Sequence, residues 1–190
     1  LMCRGENLGH IELNVPGRHN ILNAVAAAAA ALAVGATPAQ IQEHLPQFRG
    51  AHRRFEVLGQ VNGVTIADDY AHHPAELKVT LEAAKEMDFN RVWAVFQPFT
   101  YSRTALLLED FAKVLPIADR VVLSAIMGAR EVNTYGIYAK DLADKIPGCV
   151  WFETFPEIAR YVIQEAQPGD LVITLGCGDV YKCAHMMLGE

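Results

Sequence analysis

A strand-like segment leads into a helical segment through a turn that is crowded with ionisable side chains. Residues 61–67 alternate as a β-strand does, and after the turn Leu77, Leu81 and Ala84 recur at helical spacing. The turn itself, residues 68–74, reads Asp-Asp-Tyr-Ala-His-His-Pro. Its proline suits the first helical turn, where no backbone N–H is needed. Ligands of open α/β sheets bind at such strand-to-helix edges, so this turn is the first candidate for a functional site.

Two structural roles compete with a functional one for this turn. Its acids could cap the following helix, and its histidines could satisfy buried backbone groups. Either role explains any one of these side chains, but two acids, a phenol and two imidazoles together favour a binding or catalytic site. Glu76, just behind the turn, suits the positive end of the helix dipole.

From Phe55 onward, strand patterns alternate with helix patterns, which predicts an α/β domain with a mainly parallel sheet flanked by helices. The first two strands are predicted to form a hairpin, because Asn62-Gly63 between them is a strong turn signal. The predicted strands are residues 55–60, 61–67, 91–96, 120–125, 149–152 and 171–175. The first predicted helix follows the turn at 68–74, and the second carries Leu107, Phe111, Val114 and Leu115 on one face. Three more are predicted at residues 140–146, at 156–164 and after 179.

The first fifty residues have a different pattern. Residues 10–15 alternate polar and apolar, which predicts a half-buried strand. Residues 24–34 are mostly alanine and predict a closely packed helix that Gly35 ends, and a second helix is predicted at 38–44. Residues 46–52 are typical of a linker, so the predicted domains are 1–52 and 53–190.

Three polar side chains, His19, Asn20 and Asn23, cluster where the alanine-rich helix begins. The two asparagines are three residues apart and therefore share a helix face. An asparagine offers a donor and an acceptor together, as the edge of an adenine requires. Simple N-capping explains one asparagine well and two poorly.

Cationic and glycine-rich segments mark the remaining candidates. Arg53-Arg54 precedes a strand and is equally consistent with a solvated edge and with a phosphate site. Arg103 follows the strand at 91–96 at the start of a helix that Ser102 or Thr104 is expected to cap, a position that suits an anionic ligand. The turn at 176–179, Gly-Cys-Gly-Asp, admits close backbone approach, although a short Gly-x-Gly is a weak signal.

The composition excludes some function classes. The 190 residues are 52% hydrophobic and 20% charged with a net charge of -6, and no run of lysine and arginine forms a basic patch. This argues against a general nucleic-acid binder. The most apolar run, 24–34, is too short to span a bilayer. We therefore expect neither a nucleic-acid nor a membrane partner.

The four cysteines contain no C-x-x-C pair, which predicts reduced thiols and a cytoplasmic protein. Cys177 lies between two glycines, but no His or Asp forms a recognisable motif with it, so a nucleophilic role is disfavoured. The chain begins at Leu1 rather than at a methionine. We therefore expect a longer parent chain, in which a targeting signal could lie upstream.

Five groups of residues, in their order and spacing, resemble the Mur ligase family, and within it the enzymes that join L-alanine to UDP-N-acetylmuramate. The groups are Gly17 to Asn20 with Asn23, Arg53 to Glu56, Asp68 to Pro74, Phe96 to Pro98 with Tyr101 to Thr104, and Gly176 to Asp179. The resemblance extends over essentially the whole chain, and its Tyr-Ala-His-His-Pro and Tyr-Ser-Arg-Thr segments are quite specific.

The resemblance implies a three-domain ligase of which this chain is one part. Residues 1–52 correspond to the tail of the central ATPase domain, and residues 53–190 to the Rossmann-like C-terminal domain that admits the amino acid. The family's P-loop, with its Gly-Lys-Thr, is absent from this sequence, as are the Glu and His that hold Mg²⁺. We therefore expect these parts upstream, no metal ligand in this chain, and no activity of this chain alone.

The resemblance also implies a reaction in peptidoglycan precursor synthesis, and hence a role in cell-wall formation, cell shape and division. ATP phosphorylates the substrate carboxylate, and the amino group of L-alanine displaces phosphate from the acyl phosphate. By resemblance, His19, Asn20 and Asn23 hold the adenine, Arg54 holds the phosphates and Asp69 the ribose. Binding ATP between domains fits closure of a mobile C-terminal domain over it.

The same resemblance assigns the remaining site residues. Tyr70, His72, Ser102 and Arg103 line the site for L-alanine and the acyl phosphate, with His72 and Arg103 as the catalytic residues. Catalysis of this kind is mainly positioning and charge stabilisation.

Two positions depart from the family pattern, and two other functions remain open. Members often carry His at the position of Phe99 and Arg at that of Thr100, so one cationic contact is absent here and the amino-acid specificity is less certain. One alternative is the recycling ligase that attaches a ready-made tripeptide to the same nucleotide sugar. That group carries Phe at the position of Tyr70 and lacks Tyr-Ser-Arg-Thr, which disfavours it. The other alternative is a nucleotide-binding module without a reaction of its own.

Overall fold

A computed structural model describes all 190 residues, and the chain divides between Ala51 and His52 into two units. We call residues 1–51 the N-terminal unit and residues 52–190 the C-terminal unit. Which domains of a longer protein these units represent stays a prediction.

The N-terminal unit is small and mostly helical. Its elements are β1 (Met2–Cys3), β2 (Glu6–Asn7), α1 (Arg18–Ala33), α2 (Pro38–His44) and a 3-10 turn at Leu45–Gln47. Strands β1 and β2 pair with each other and are antiparallel. The two predicted helices are present, and Gly35 follows the end of α1 at a φ of 97°. The N-cap of α1 is Gly17 without a side-chain hydrogen bond, so neither asparagine caps this helix.

The predicted strand at residues 10–15 is wrong. This segment is in no strand, and its backbone groups form none of the loop hydrogen bonds either. The alternating pattern alone cannot make a strand, because a strand needs a neighbour for its backbone N–H and C=O groups. No partner strand lies beside this segment in the 190 residues.

The C-terminal unit contains a six-stranded sheet, as predicted. Its strands are β3 (Glu56–Val61), β4 (Val64–Asp69), β5 (Val92–Phe96), β6 (Arg120–Ser124), β7 (Val150–Phe152) and β8 (Leu171–Leu175). The spatial order is β3-β4-β8-β5-β6-β7, with only the β3–β4 pair antiparallel. The last strand therefore lies between β4 and β5. The sheet is mainly parallel, and the carboxyl ends of β4, β8, β5 and β6 meet along one edge.

The predicted hairpin between β3 and β4 is confirmed. Asn62 and Gly63 both have positive φ angles, 51° and 78°. Two central residues with positive φ fit the tight hairpin turn that Asn-Gly favours. The hairpin adds the one antiparallel strand at the edge of the sheet.

Helices cover both faces of the sheet. They are α3 (Pro74–Lys85), α4 (Tyr101–Leu106), α5 (Leu108–Val114), α6 (Ala139–Ala143), α7 (Phe155–Glu165) and α8 (Tyr181–Leu188). Side chains of α3, α5 and α6 pack on one face with Leu77, Phe111 and Leu142 fully buried. Side chains of α7 and α8 pack on the other face with Ile158 and Cys183.

The helix predicted after residue 101 is divided in two. Leu107 has φ −107° and ψ 17°, which ends α4 one residue before α5 begins. Leu107 and Val114 nevertheless pack against the core beside the buried Phe111 and Leu115, as their spacing predicts. Hydrophobic spacing thus identified the buried face, but it did not show the break.

Two further features concern the helices and the cysteines. None of the helices is both long and apolar enough to cross a membrane. All four cysteines are free thiols, as predicted.

Candidate functional site

The predicted site segments of the C-terminal unit follow neighbouring strands. The Gly176 N–H donates to the carbonyl of Asp69 at 3.1 Å, and the Gln97 N–H donates to that of Leu175 at 3.0 Å. The glycine turn after β8 therefore lies between the turn after β4 and the turn after β5. The parallel strand order brings the three predicted segments to one edge of the sheet.

Arg53 and Asp68 form a buried ion pair below this edge. Arg53 Nε donates to Asp68 Oδ2 at 2.8 Å, and Thr174 Oγ1 donates to the other oxygen at 2.6 Å. The two Nη groups of Arg53 donate to the carbonyls of Gly178 at 3.1 Å and Gly176 at 2.8 Å. Each of the three guanidinium nitrogens of Arg53 therefore donates to the protein, and the two Nη groups hold the glycine turn.

Two tyrosines enclose the same guanidinium. The Cζ atom of Arg53 lies 5.0 Å from the ring centre of Tyr70 and 4.8 Å from that of Tyr181. Arg54 differs, because it is exposed and forms no salt bridge, with only a contact of 5.7 Å from its Cζ to the Tyr70 ring centre. Of the two predicted arginines, Arg54 is therefore the one that is free to bind a phosphate.

Asp69 is also held mainly by the backbone. Its Oδ2 accepts from the Phe55 N–H and its Oδ1 from the Ala71 N–H, both at 2.7 Å. The carboxyl is only 5% exposed, and burial raises its pKa despite those two hydrogen bonds and the nearby Arg54. Any ligand contact of Asp69 would use the lone pairs that these N–H groups leave free.

The two histidines have different roles at the start of α3. His73 is the N-cap, and its Nδ1 accepts from the Ala75 N–H at 3.3 Å. His72 Nδ1 lies 3.0 Å from the Tyr70 carbonyl and 3.3 Å from Glu76 Oε2. Both neighbours are acceptors, which assigns a hydrogen to Nδ1 and leaves Nε2 free for a ligand. His73 and Glu76 form the cap of α3, so the alternative in which Asp68 and Asp69 only cap this helix is excluded.

Glu76 completes the N-terminal cap of α3. Its Oε2 accepts from the N–H groups of His72 at 3.0 Å and His73 at 3.2 Å. Burial by itself raises the pKa of Glu76, but these N–H groups, the His72 ring and Arg54 outweigh it, so its pKa lies below the ordinary value. An ionised Glu76 thus fixes the His72 backbone and ring together.

Gln97 joins the turn after β5 to the glycine turn. Gln97 Nε2 donates to Asp179 Oδ1, and the Asp179 N–H donates back to Gln97 Oε1, both at 3.0 Å. A Cβ on Gly178 would lie 2.3 Å from Gln97 Oε1 and 2.5 Å from Met127 Sδ. A side chain at residue 178 would therefore have to displace the ends of the Gln97 and Met127 side chains, which gives the second glycine of the weak Gly-x-Gly signal a structural reason.

The start of α4 is capped differently from the prediction. Thr100, not Ser102 or Thr104, is the N-cap, and its Oγ1 accepts from the Arg103 N–H. Ser102 instead donates its N–H and its hydroxyl to the carboxylate of Glu131, at 2.8 and 2.5 Å. The cap was misplaced because Thr100 adopts a φ of 63°, which a β-branched residue rarely does.

Arg103 has an unused buried nitrogen. Its Nη1 is inaccessible to solvent and has no hydrogen-bond partner. Its Cζ lies 5.9 Å from the ring centre of Phe99, one of the two positions that depart from the family pattern. A buried guanidinium N–H without an acceptor is rare and unfavourable, so this group is suited to an anionic ligand.

Cys177 lies close to Arg103 in the glycine turn. Burial raises the pKa of its thiol, although Arg103 and Arg53 act in the opposite direction. A thiol with a raised pKa is a poor nucleophile at neutral pH, which agrees with the prediction that Cys177 is not catalytic.

The three predicted adenine ligands belong to the N-terminal unit. Asn20 Nδ2 donates to the Pro16 carbonyl at 2.6 Å, and Asn23 Nδ2 donates to Asn20 Oδ1 at 3.1 Å. His19 is exposed and forms no side-chain hydrogen bond or salt bridge. The two asparagines are therefore linked on one face of α1, as their spacing predicts, while their role in binding adenine stays a prediction.

Residues 53–178 match the model of the family described as Mur ligase, glutamate ligase domain. The chain belongs to the Mur ligase family. The UDP-N-acetylmuramate–L-alanine ligase of Alkaliphilus metalliredigens is 44% identical over 98% of this chain and 41% of its own length. This Mur ligase chain thus spans about two fifths of that relative.

Solved structures agree with the family. The crystal structure of UDP-N-acetylmuramate-alanine ligase MurC from Thermotoga maritima superposes with a TM-score of 0.78 at 28% identity, over 94% of this chain and 39% of that one. A murein peptide ligase from Psychrobacter arcticus gives 0.67 at 25% identity, over 94% and 38%. The predicted fold class is therefore confirmed.

Sequence reasoning missed three residues of this edge. Neither Glu131 nor Tyr181 was among the predicted site residues, and Arg53 was not either, because the resemblance assigns a role to Arg54 alone. Glu131 had no detectable signal, because its partner Ser102 lies 29 residues away in the sequence.

Proposed function

We propose that this chain is the C-terminal portion of an ATP-dependent ligase that joins L-alanine to UDP-N-acetylmuramate in peptidoglycan precursor synthesis. The relatives that it resembles carry that name, and the chain corresponds to about two fifths of their length. In this proposal the C-terminal unit admits L-alanine. The N-terminal unit is the tail of a central ATP-binding domain.

One observation supports this proposal most strongly, namely the buried, unpartnered Nη1 of Arg103. It lies beside Cys177 at the sheet edge where ligands of α/β folds bind. A negatively charged carboxylate or phosphate supplies the acceptor that this nitrogen lacks, and a hydrogen bond between two charged groups is stronger than a neutral one. Arg103 therefore holds the charge of the acyl phosphate or of the amino acid.

The remaining residues complete a site for a charged reaction. Arg54 is free to bind the phosphates of ATP, and Asp69 binds its ribose. His72 presents its Nε2 to the ligand. The ring of Tyr70 is in edge contact with the His72 ring, and 5.7 Å separate the two ring centres. Together with Ser102 these residues line the space for L-alanine and the acyl phosphate, and His19, Asn20 and Asn23 bind the adenine.

The reaction that this arrangement serves has two steps. The carboxylate of UDP-N-acetylmuramate takes the γ-phosphoryl group of ATP and becomes an acyl phosphate, and ADP leaves. The amino group of L-alanine then attacks the acyl carbon, the amide bond forms, and inorganic phosphate leaves. The side chains position the reactants and stabilise charge. Arg103 stabilises the oxygens that become more negative, and His72 contacts the reactants through Nε2.

The resemblance places the Mg²⁺ ligands and the P-loop of this family upstream of this chain. Within the chain, no group of three or more His, Cys, Asp or Glu side chains is placed to hold a metal ion. We therefore propose that an upstream part of the longer protein holds Mg²⁺. Because the P-loop is also expected upstream, this chain alone is proposed to be inactive.

The test uses the full-length parent protein with ATP and UDP-N-acetylmuramate. Phosphate release is measured with L-alanine in one reaction and with the tripeptide in another. Release with L-alanine alone supports the proposal. Release only with the tripeptide favours the recycling ligase, for which the Psychrobacter arcticus structure is the observation in its favour. No release in either reaction favours the non-catalytic nucleotide-binding module.

A substitution then tests the role of Arg103. Arg103→Ala is expected to lower kcat/KM for L-alanine by about 100-fold, as loss of a charge-stabilising donor does. The matched control is Arg160→Ala, since Arg160 is an exposed arginine of α7 without a hydrogen bond or salt bridge. Equal losses in both variants would contradict the role of Arg103.

A further inference from the structure

The loop after β6 is joined to the turn after β5 along its length. The Thr100 N–H donates to the Met127 carbonyl, and the Met127 N–H donates to the Pro98 carbonyl, both at 2.9 Å. A Cβ on Gly128 would lie 2.4 Å from Cε2 of Tyr101, so the loop packs on the turn at a distance that only glycine allows. The two segments therefore form one structure at the sheet edge.

Glu131 of this loop holds the first turn of α4. Its Oε2 accepts from the Ser102 N–H at 2.8 Å and its Oε1 accepts from the Ser102 hydroxyl at 2.5 Å. The Ser102 hydroxyl and N–H lower the pKa of Glu131, and Arg103 acts in the same direction. An ionised carboxylate therefore accepts from both the N–H and the hydroxyl of Ser102. Ser102 directly precedes Arg103 in the chain.

This turn needs external support because its backbone is strained. Thr100 has a φ of 63°, in a region that β-branched residues avoid. Such a conformation persists only where surrounding contacts enforce it, and it is found mainly at functional sites. The Arg103 N–H donates to Thr100 Oγ1 within the same turn, so the position of Arg103 depends on how firmly the turn is held.

We propose that Glu131 is a positioning residue, which fixes the first turn of α4 so that Arg103 keeps its buried Nη1 at the ligand-binding edge. Glu131 touches no substrate in this proposal. Because it occupies the Ser102 N–H and hydroxyl, the ligand's charge is left to Arg103. The inference rests on the proposed function, in which Arg103 binds the charge of the substrate.

The test uses the full-length enzyme and the L-alanine-dependent release of phosphate. The variants are Glu131→Ala, Glu131→Gln, Arg103→Ala and the double variant of Glu131→Ala with Arg103→Ala. Glu131→Gln retains one acceptor for Ser102 but not both. If Glu131→Ala fails to fold, Glu131→Gln takes its place, since it removes one of the two hydrogen bonds to Ser102 without changing a residue of the proposed substrate site.

A matched control exists at the start of another helix of the C-terminal unit. Glu157 accepts from the N–H and the hydroxyl of Thr154 at the start of α7, at 3.0 and 2.7 Å. Glu157→Ala thus removes the same kind of helix contact without touching the first turn of α4. It is expected to change the melting temperature but not the kinetics.

The expected result has three parts. Glu131→Ala lowers kcat/KM for L-alanine by roughly tenfold to 100-fold, as displacement of a binding group does, and leaves KM for ATP unchanged. Glu131→Gln recovers part of that loss. The double variant is no slower than Arg103→Ala alone, because Glu131 acts through Arg103.

Two results would overturn the inference while leaving the proposed function intact. One is a double variant in which the two losses multiply. The other is normal kinetics for Glu131→Ala beside a large loss for Arg103→Ala. If Arg103→Ala itself is fully active, the role of Arg103 in the proposed function fails, and the inference about Glu131 fails with it.

Discussion

The two units of this chain bury very different amounts of apolar surface. In the N-terminal unit only Ala28 and Ile41 are buried, and α1 exposes Ile21, Leu22 and Val25 by 55%, 72% and 49%. The C-terminal unit buries two clusters, one on each face of its sheet. Apolar burial is the main term that offsets chain entropy, so the C-terminal unit can stabilise itself and the N-terminal unit cannot.

The candidate side chains of the two units also differ in what holds them in place. In the C-terminal unit, the candidate groups are held by buried partners, as Arg53 is by Asp68 at 2.8 Å. In the N-terminal unit, Asn20 and Asn23 contact each other and one carbonyl at an exposed helix surface. A functional side chain is held in one position only where the surrounding structure packs closely against it.

The largest expected effect comes from separating the two units. Residues 52–190, expressed alone, are expected to unfold cooperatively with near-native secondary structure, while residues 1–51 alone are expected to be largely unfolded. Circular dichroism and thermal melting of both fragments check this. A cooperative transition in residues 1–51 would contradict the comparison.

Leucine substitutions sharpen the comparison at single residues. Leu81→Ala removes a fully buried side chain of α3 and is expected to lower the free energy of unfolding by about 3 kcal/mol. Leu22→Ala removes a side chain of α1 that is 72% exposed and is expected to change it by less than about 0.5 kcal/mol. Urea unfolding of both variants measures the difference, and equal effects would show that the exposure of α1 is misjudged.

An expected effect smaller than that of Leu81→Ala depends on pH and lies at the opposite edge of the sheet. Asp170 is fully buried and accepts from Arg91 Nη2 at 2.6 Å and Trp93 Nε1 at 3.0 Å. Burial by itself raises the pKa of Asp170, but Arg91, the Gln167 N–H and Trp93 outweigh it, so the pKa lies below its ordinary value. Asp170→Asn is expected to destabilise the C-terminal unit by about 2 kcal/mol at pH 7.

The sign of the pH dependence follows from the lowered pKa. A carboxyl with a lowered folded-state pKa contributes its stability above its unfolded pKa of about 4 and loses it as the pH falls through the folded value. The difference between wild type and Asp170→Asn should therefore be constant near neutrality and shrink below about pH 4. Urea midpoints between pH 3 and pH 7 measure it, and a difference that grows in acid would contradict the ion pair.

Sequence patterns predicted most elements of the fold. The strand at 171–175 and the helix at 38–44 have the predicted bounds, and the Asn62-Gly63 hairpin is present. The strand at 10–15 failed, although its alternation is as clear as in other strands. Alternation records only which side chains face one way, whereas a strand also requires a partner.

The candidate site was predictable as a set of segments but not as a set of contacts. Spacing placed Arg53 and Arg54 together, yet only the structure separates the buried Arg53 from the exposed Arg54. Adjacent residues in an irregular segment have no periodicity that assigns one to the interior. The same limit explains the misplaced cap of α4, because the φ of 63° at Thr100 depends on the loop that packs against it.

By itself, the sequence determined the periodic elements, the turns between them, the family resemblance and the segments that carry the candidate chemistry. These follow from spacings of two and 3.6 residues and from local turn chemistry, which neighbouring residues set. The tertiary structure alone decided that β8 lies between β4 and β5, that Arg53 closes on Gly178 across 125 residues, and that Glu131 holds Ser102. Such contacts depend on the packing of the whole sheet and its helices, which no local pattern encodes.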